Sequence, residues 1–438
     1  MRGSLFFSLP LVGAALAQSS GKFTTITFNV AGLPPILNGN DVPGDKTDNT
    51  ARIGQLLTQY NISLIHVQED FNFHATLYAN DQHPYRTPTS GGVPFGSGLN
   101  SLGNFPYTAF ERIKWATCST IDGADCLTPK GFTFMRVQVA PGVSFDAYNL
   151  HADAGTTAAD LVARAANLRQ VSDYVTANSQ GNAVIIFGDT NSRYTRGPDD
   201  IPGIFAQKNG MKDVWIELVK NGIAPVGGSD ALLCDNPSDT TACETVDKVF
   251  YRASPAFSLQ ATSFTYAGDM FLQTNGSILS DHDPVLVEFA WSLNSNLAVS
   301  NTFGGEFGTW FSDAPSVPSG AAARTVVLSG DKRLDAVSMT LASGQTFTHG
   351  GSGGTATSLT LNSGEKLTGA TLCRGNKDND TSKTRVFYAE LTTSAGRSVK
   401  TGVQTSDCTT LTAPTGKAIV GYLGRSGDEV DMLGFVYA

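Results

Sequence analysis

Several short segments of this chain place an acid, an amide or an imidazole directly after an apolar, β-branched run. They are Asn29 in ITFNVAGLP, Glu69 in SLIHVQED, His151 in AYNLHADAG, Asp189 with Asn191 in VIIFGDTNSR, and Asp281 with His282 in LSDHDPV. A strand core delivers such residues to a sheet edge, where a rigid scaffold displays chemistry. Asn29, Glu69 and Asp281 offer oxygen ligands of the kind a hard divalent cation accepts, Mg2+ first, with Ca2+ or Mn2+ as alternatives. Asp189 can orient a water or bind metal, and the Asn191 amide can donate to a phosphoryl oxygen. Two of the six histidines, His151 and His282, can divide proton transfer between an attacking water and a departing oxygen. Asp247, in TVDKVFYR, is placed to orient one of these imidazoles. The combination suits hydrolysis of a phosphate ester. Each residue alone has a plainer reading. Asn29 opens a turn before Gly32 and Pro34, Glu69 is a solvated strand-end acid, and Asp189 with Asn191 forms an Asp-Asn turn.

The elements that must hold these residues are legible as short β-branched and aromatic runs bounded by turn residues. They predict strands over Thr24–Val30, Ser63–Val67, Gly131–Val139, Val143–Leu150, Ala183–Phe187, Thr245–Tyr251 and Pro284–Phe289. Helical spacing of Ile53, Leu56 and Leu57 predicts a helix over Asp48–Tyr60. The spacing of Leu161, Ala165, Leu168, Val171 and Val175 predicts another over Ala158–Val175. Thr157 followed by Asp160 reads as its capping box. Strands and helices in this mixed order imply sheet layers flanked by helices. Gly91–Tyr107, with Phe95, Leu99, Leu102 and Phe105, reads as a packed loop, with a loop that touches lipid as the alternative.

The chain has 438 residues, too many for one core, and LNSNLAVSN (293–301) is the expected linker between two domains. Beyond it no helix is expected. Thr325–Leu328, Ala336–Leu341, Ser358–Leu361, Thr384–Leu391 and Ala418–Leu423 read as strands between glycine-rich turns, which describes an all-β module. At the start, Arg2, a short apolar stretch and Ala15-Leu16-Ala17 read as a signal peptide over 1–17, so a secreted, extracellular product is expected. No segment is long and apolar enough to span a bilayer. The six cysteines suit that compartment and fall in local pairs, 118 with 126, 234 with 243 and 373 with 408, which is the favoured pairing. Asn61, Asn275 and Asn379 sit in glycosylation acceptor motifs. The formal charge of −9 and the lack of a basic stripe argue mildly against a nucleic-acid partner.

Taken together and in this order, the N-terminal segments resemble the endonuclease/exonuclease/phosphatase superfamily. The resemblance implies a deoxyribonuclease-like α/β four-layer sandwich over 18–292. It gives Asn29 and Glu69 to the cation, Asp189 and Asn191 of GDTN to water and phosphate, and His282 of SDHDP to the general base. His151 corresponds to the family's mid-chain histidine and Asp247 to its penultimate acid. The family's glutamate behind the first histidine has Glu111 as its nearest candidate. Arg193 follows GDTN as in inositol polyphosphate phosphatases, whose Trp-x-Asp-Arg motif is missing here. Secreted sphingomyelinase- and phospholipase C-like enzymes are most similar in arrangement, so a lipid or nucleic-acid phosphodiester is the expected substrate, with a nuclease as the alternative.

TFGGEFGTWF, THGGSGGTATSLTLNSGEKLTG and IVGYLGRSGDEVDMLGFVY resemble jacalin-like lectins, which implies a β-prism over 302–438 and a glycan ligand. By that resemblance Gly308 and a loop from Gly424 through Asp428, Glu429 and Asp431 form the sugar site. An inactive, purely glycan-binding protein is the remaining alternative.

Overall fold

A computed structural model describes residues 18–34, 36, 42–120 and 125–438. The signal peptide expected over 1–17 lies outside the described residues.

Two six-stranded sheets carry the N-terminal region. In the first, the strands run in the order 257–266, 285–293, 20–29, 64–68, 100–103, 85–86. In the second, the order is 107–114, 131–140, 143–150, 184–189, 247–252, 212–213. Period-two alternation turns one face of each sheet toward the other. Phe23 and Phe289 of the first sheet meet Phe145 and Phe187 of the second in one dry core, with Phe23 and Phe145 stacked at 5.2 Å. The outer faces are covered by helices. Lys46–Tyr60 buries Ile53, Leu56 and Leu57 against Ile26, Phe28, Ile65 and Val67. Ala158–Asn178 buries Leu168, Val171 and Val175 against Phe132, Phe134, Tyr148 and Ile186. Each buried aliphatic of these faces contributes about 1.5–3 kcal/mol.

The second helix starts as the sequence predicts, with the reciprocal Thr157–Asp160 capping box. Its buried face differs. Leu161 and Ala165 are only half-buried, whereas Arg164 and Asn167 are buried. Arg164 donates to the carbonyls of Asp153 (3.1 Å) and Gly155 (2.9 Å) and pairs with Asp199, so its buried charge is paired, although its Nη2 has no hydrogen-bond partner. The loop expected to pack whole is divided as well. Leu99 and Leu102 are buried, but Phe95 is 85% exposed.

Three further sheets surround one C-terminal core, each built on an antiparallel pair: 419–426 with 430–437, 323–330 with 334–341, and 367–376 with 384–393. Val326, Val337, Leu372, Leu391, Tyr422 and Phe435 meet at its centre. No α-helix occurs among its described residues. The expected linker is shorter than 293–301. The strand Val285–Leu293 runs into it, and Ala298–Val299 already pairs with Val436 and Tyr437. The three disulfides join the expected cysteines. No helix among the described residues is long and apolar enough to cross a membrane.

Candidate active site

Strand register brings the polar segments to one end of both sheets. Asn29 closes the first strand and pairs in parallel register with Gln68, so Glu69 follows beside it. Glu69 has a left-handed backbone (φ 56°), strain that persists where surroundings hold it. The strand Val285–Leu293 pairs with the same first strand, and His282 sits just ahead of it. In the second sheet Asp189 is the direct cross-strand partner of Asp247, and His151 bridges to Asp189 on the other side.

Asp189 Oδ2 is the meeting point. Asn29 Nδ2 donates to it at 3.2 Å, linking the two sheets. His151 Nε2 lies 3.4 Å from it and His282 Nε2 3.8 Å. The other face of His282 is held by Asp247, whose Oδ2 lies 2.7 Å from Nδ1. Asn191 turns back (φ 49°), giving its backbone N–H to Asp189 Oδ1 at 2.9 Å and an amide hydrogen to the Ala152 carbonyl at 3.0 Å. The structure thus brings His151, Asp189, Asn191, Asp247, His282 and Asn29 into one cluster. Glu111 is not part of it. Its carboxylate accepts from the Tyr174 hydroxyl at 2.7 Å.

The charges are strongly coupled. Burial opposes a proton on His282, but the carboxylates of Asp247 and Asp189 override it and hold its pKa well above the ordinary imidazole value. His151 goes the other way. Burial first, then the nearby charges of Lys130 and His282, keep it well below that value. Burial, reinforced by the Asp247 charge, raises Asp189 to about 6.

Sequence reasoning missed three neighbours. The Ser280 hydroxyl donates to the Asn29 carbonyl at 2.6 Å and accepts from the His282 N–H at 3.2 Å, tying the first and last motifs together. Lys46 Nζ donates to the Ala31 carbonyl at 2.6 Å. Burial lowers its pKa, and the Asp281 and Glu69 charges act to raise it, so this ammonium is the chain's own cation beside both carboxylates. Lys130 Nζ stands 3.1 Å from His151 Nε2. Serine and lysine are too common in surface segments for composition to single these out. Beside His282 and Asp247 opens a cavity of about 300 Å³, lined also by Asp281, Arg193 and Arg196.

The donor set fits a hard divalent cation. Single ligand atoms of Asp189, Asp247 and His282 lie within 4.8 Å of one another, and Asp247 Oδ1 is buried without a hydrogen-bond partner. That triplet differs from the Asn29, Glu69 and Asp281 set read from sequence. Asn29 touches it directly, while Glu69 and Asp281 lie outside it.

At the C-terminal loop that the resemblance assigns to a sugar, Gly308 (φ 72°) lies so close to Asp431 that a Cβ would stand 2.4 Å from its Oδ2. The turn is Gly427–Glu429, with Gly424 inside the strand 419–426 and Asp428 exposed at the tip. Glu429 is committed to Arg333 and Lys377, and Asp431 to Arg385. These two carboxylates therefore tie neighbouring segments of the three sheets together.

Residues 22–223 match the family model described as Endonuclease/Exonuclease/phosphatase family 2, and residues 300–436 match that of the Jacalin-like lectin domain. A sphingomyelinase of Mycobacterium bovis is 36% identical over 292 residues, which cover 64% of this chain and 55% of the relative. The chain thus spans about half the length of the curated relatives it matches. Among solved structures, the sphingomyelinase C of Streptomyces griseocarneus aligns with 61% of this chain and 99% of its own at 18% identity, TM-score 0.42. A Malaysian banana lectin variant aligns with 33% of this chain and 99% of its own at 21% identity, TM-score 0.29.

Proposed function

From a chain that carries an endonuclease/exonuclease/phosphatase domain followed by a jacalin-like lectin domain, we propose a secreted phosphodiesterase that cleaves a sphingomyelin-type phosphate ester at a glycan-bearing surface. The paired sheets with outer helices are read as the four-layer sandwich, and the three C-terminal sheets as the β-prism. The observation that carries the catalytic reading is the line Asp247–His282–Asp189–His151, with Asn29 reaching into it from the opposite sheet. Asp247 fixes the His282 ring so that Nε2 faces the cleft. In its unprotonated form His282 takes a proton from a water that Asp189 holds, the raised pKa making it a strong base, and the water attacks phosphorus in line with the leaving oxygen. Asn191 and His151 line the side where charge develops. A divalent cation, Mg2+ in the first instance, would be held by Asn29 and Asp189 with Glu69 from the adjoining strand end, leaving His282 free as base, and would supply positive charge to the phosphoryl oxygens. The 36% identity to a sphingomyelinase favours a lipid ester over DNA. Three disulfides support an oxidising destination. Gly308 and the exposed Asp428 are the proposed sugar contacts.

The test compares wild type with His282→Ala on sphingomyelin, plasmid DNA and bis-p-nitrophenyl phosphate, with and without EDTA. Sphingomyelin hydrolysis should fall about 10²–10⁴-fold in the variant and be abolished by chelation. Preferential cleavage of plasmid would make the protein a nuclease, and a wild type inert on every substrate would remove the catalytic reading.

A further inference from the structure

The proposed reaction needs a group that meets the charge on the departing oxygen. His151 is buried on that side, and its Nε2 faces an ammonium. The cation there is Lys130. Its Nζ lies 3.1 Å from His151 Nε2, which itself stands 3.4 Å from Asp189 Oδ2; it pairs with Asp125, and its side chain is 12% exposed, so it is largely enclosed.

This placement is constructed. Lys130 ends a segment that leaves the strand Tyr107–Lys114 and returns as the strand Gly131–Ala140. The Cys118–Cys126 disulfide closes that segment. The Ser119 N–H donates to Asp153 at 2.7 Å, and the Ala154 N–H donates to Asp125 at 2.7 Å, so the segment is tied to the residues directly after His151. The Trp115 indole N–H, donating to the His151 carbonyl at 2.8 Å, fixes the histidine backbone. An ammonium has three donors. Asp125 and His151 take two, and the third has no hydrogen-bond partner among the described residues. A neutral imidazole that accepts from Lys130 through Nε2 carries its own proton on Nδ1, an atom buried without a partner. Such an arrangement costs stability and persists where it aims a charge.

We propose that Lys130 is a further catalytic residue. Its ammonium meets the leaving oxygen with a charged hydrogen bond and gives it a proton, while His151 and Asp125 hold the ammonium in place. The inference rests on the phosphodiesterase reading above. As the water oxygen bonds to phosphorus, its proton passes to His282. The bond from phosphorus to the leaving oxygen breaks, its electron pair stays on that oxygen, and the proton from Lys130 neutralises it. Solvent water then carries the proton from His282 back to the Lys130 amine.

The test uses leaving groups of different basicity. An alkoxide needs the proton; p-nitrophenolate does not. Lys130→Met should lower kcat about 10²–10³-fold on detergent-dispersed sphingomyelin, with KM little changed, and by no more than about 5-fold on p-nitrophenyl phosphocholine. Lys130→Arg keeps the charge but does not surrender a proton, so it should show the same selectivity at about 10-fold on sphingomyelin. If Lys130→Met fails to fold, the arginine variant alone carries the comparison. Equal losses on both esters, or none on either, overturn the assignment. A wild type inert on both esters removes the phosphodiesterase reading itself, whereas an active wild type whose variants respond uniformly removes only the role of Lys130.

Discussion

His66 lies at the middle of the first sheet, 0% exposed, with its ring stacked on Phe187 of the second sheet at 3.5 Å and Nδ1 3.2 Å from the Phe187 carbonyl. Burial lowers its pKa to about 3 from 6.5. Below pH 6.5 the unfolded chain therefore binds a proton that the native chain refuses, and stability falls as the pH drops from 6.5 toward 3. At pH 5 this amounts to about 2 kcal/mol. Asp153 and Asp283, both raised to about 6 by burial, act oppositely, because the native state takes up their protons first as the pH falls. Comparing variants isolates the imidazole. Urea unfolding at pH 7 and pH 5 should show an acid loss about 2 kcal/mol smaller in His66→Asn than in wild type. Identical pH dependence would mean that His66 titrates in the native state. The same contrast shows what sequence conveys at this scale. His282 and Asp247 were legible because each follows or precedes a strand run in an acid-rich segment. The pairing of Lys130 with His151 was not, because it depends on how a disulfide-closed segment folds back. Nor was Ser280, whose partner Asn29 is 251 residues away in the chain.

Among elements, the strands that carry the site were the readable ones, since they are buried on both faces and rich in β-branched and aromatic residues. Leu64–Gln68 and Val184–Asp189 are buried throughout. The strand Phe257–Tyr266 was not read. It is at the edge of its sheet, alternates buried and exposed residues, and shifts register between Ala261 and Ser263. Tyr107–Lys114 escaped for a related reason: it edges the second sheet, none of its residues is fully buried, and its register shifts between Thr108 and Glu111. The helix Ala158–Asn178 was readable at its start because a capping box is a local signal. Its buried Arg164 was not, because that charge is satisfied only by carbonyls and an acid that tertiary folding delivers. The cap has a measurable consequence. Thr157→Ala removes the side-chain acceptor for the Asp160 N–H and should cost about 1 kcal/mol in urea unfolding. Thr157→Ser, which keeps the hydroxyl, should recover most of it. Equal losses in the two variants would show that the threonine methyl, not the cap, is responsible.

At the scale of the whole molecule, the sequence suggested only a polar linker over 293–301, while the structure joins the two halves through a defined contact. Only Asn294–Leu297 separates the last strand of the first half from the first strand of the second. Trp310, 3% exposed, gives its indole N–H to the Gln180 carbonyl at 2.9 Å, and the Arg136 guanidinium lies 4.0 Å from its ring centroid. Arg136 is itself oriented by two bonds to Asp146, at 2.8 and 3.2 Å. Glu306 accepts from the Ala109 N–H at 3.2 Å, and Lys417 donates to the Ser295 carbonyl at 2.7 Å. The cation–π contact and the indole hydrogen bond together supply about 2 kcal/mol of coupling. A sugar held by the C-terminal half would then orient the catalytic cleft relative to the surface, which a loose tether does not do. Calorimetry of the wild type should show one joint unfolding transition. Combining Arg136→Ser with Trp310→Phe, which keeps a ring in the C-terminal core, should split it into two, with loss of the proposed phosphodiesterase activity following only one of them. Two independent transitions already present in the wild type would mean that the halves move separately and that the contact sets no fixed orientation.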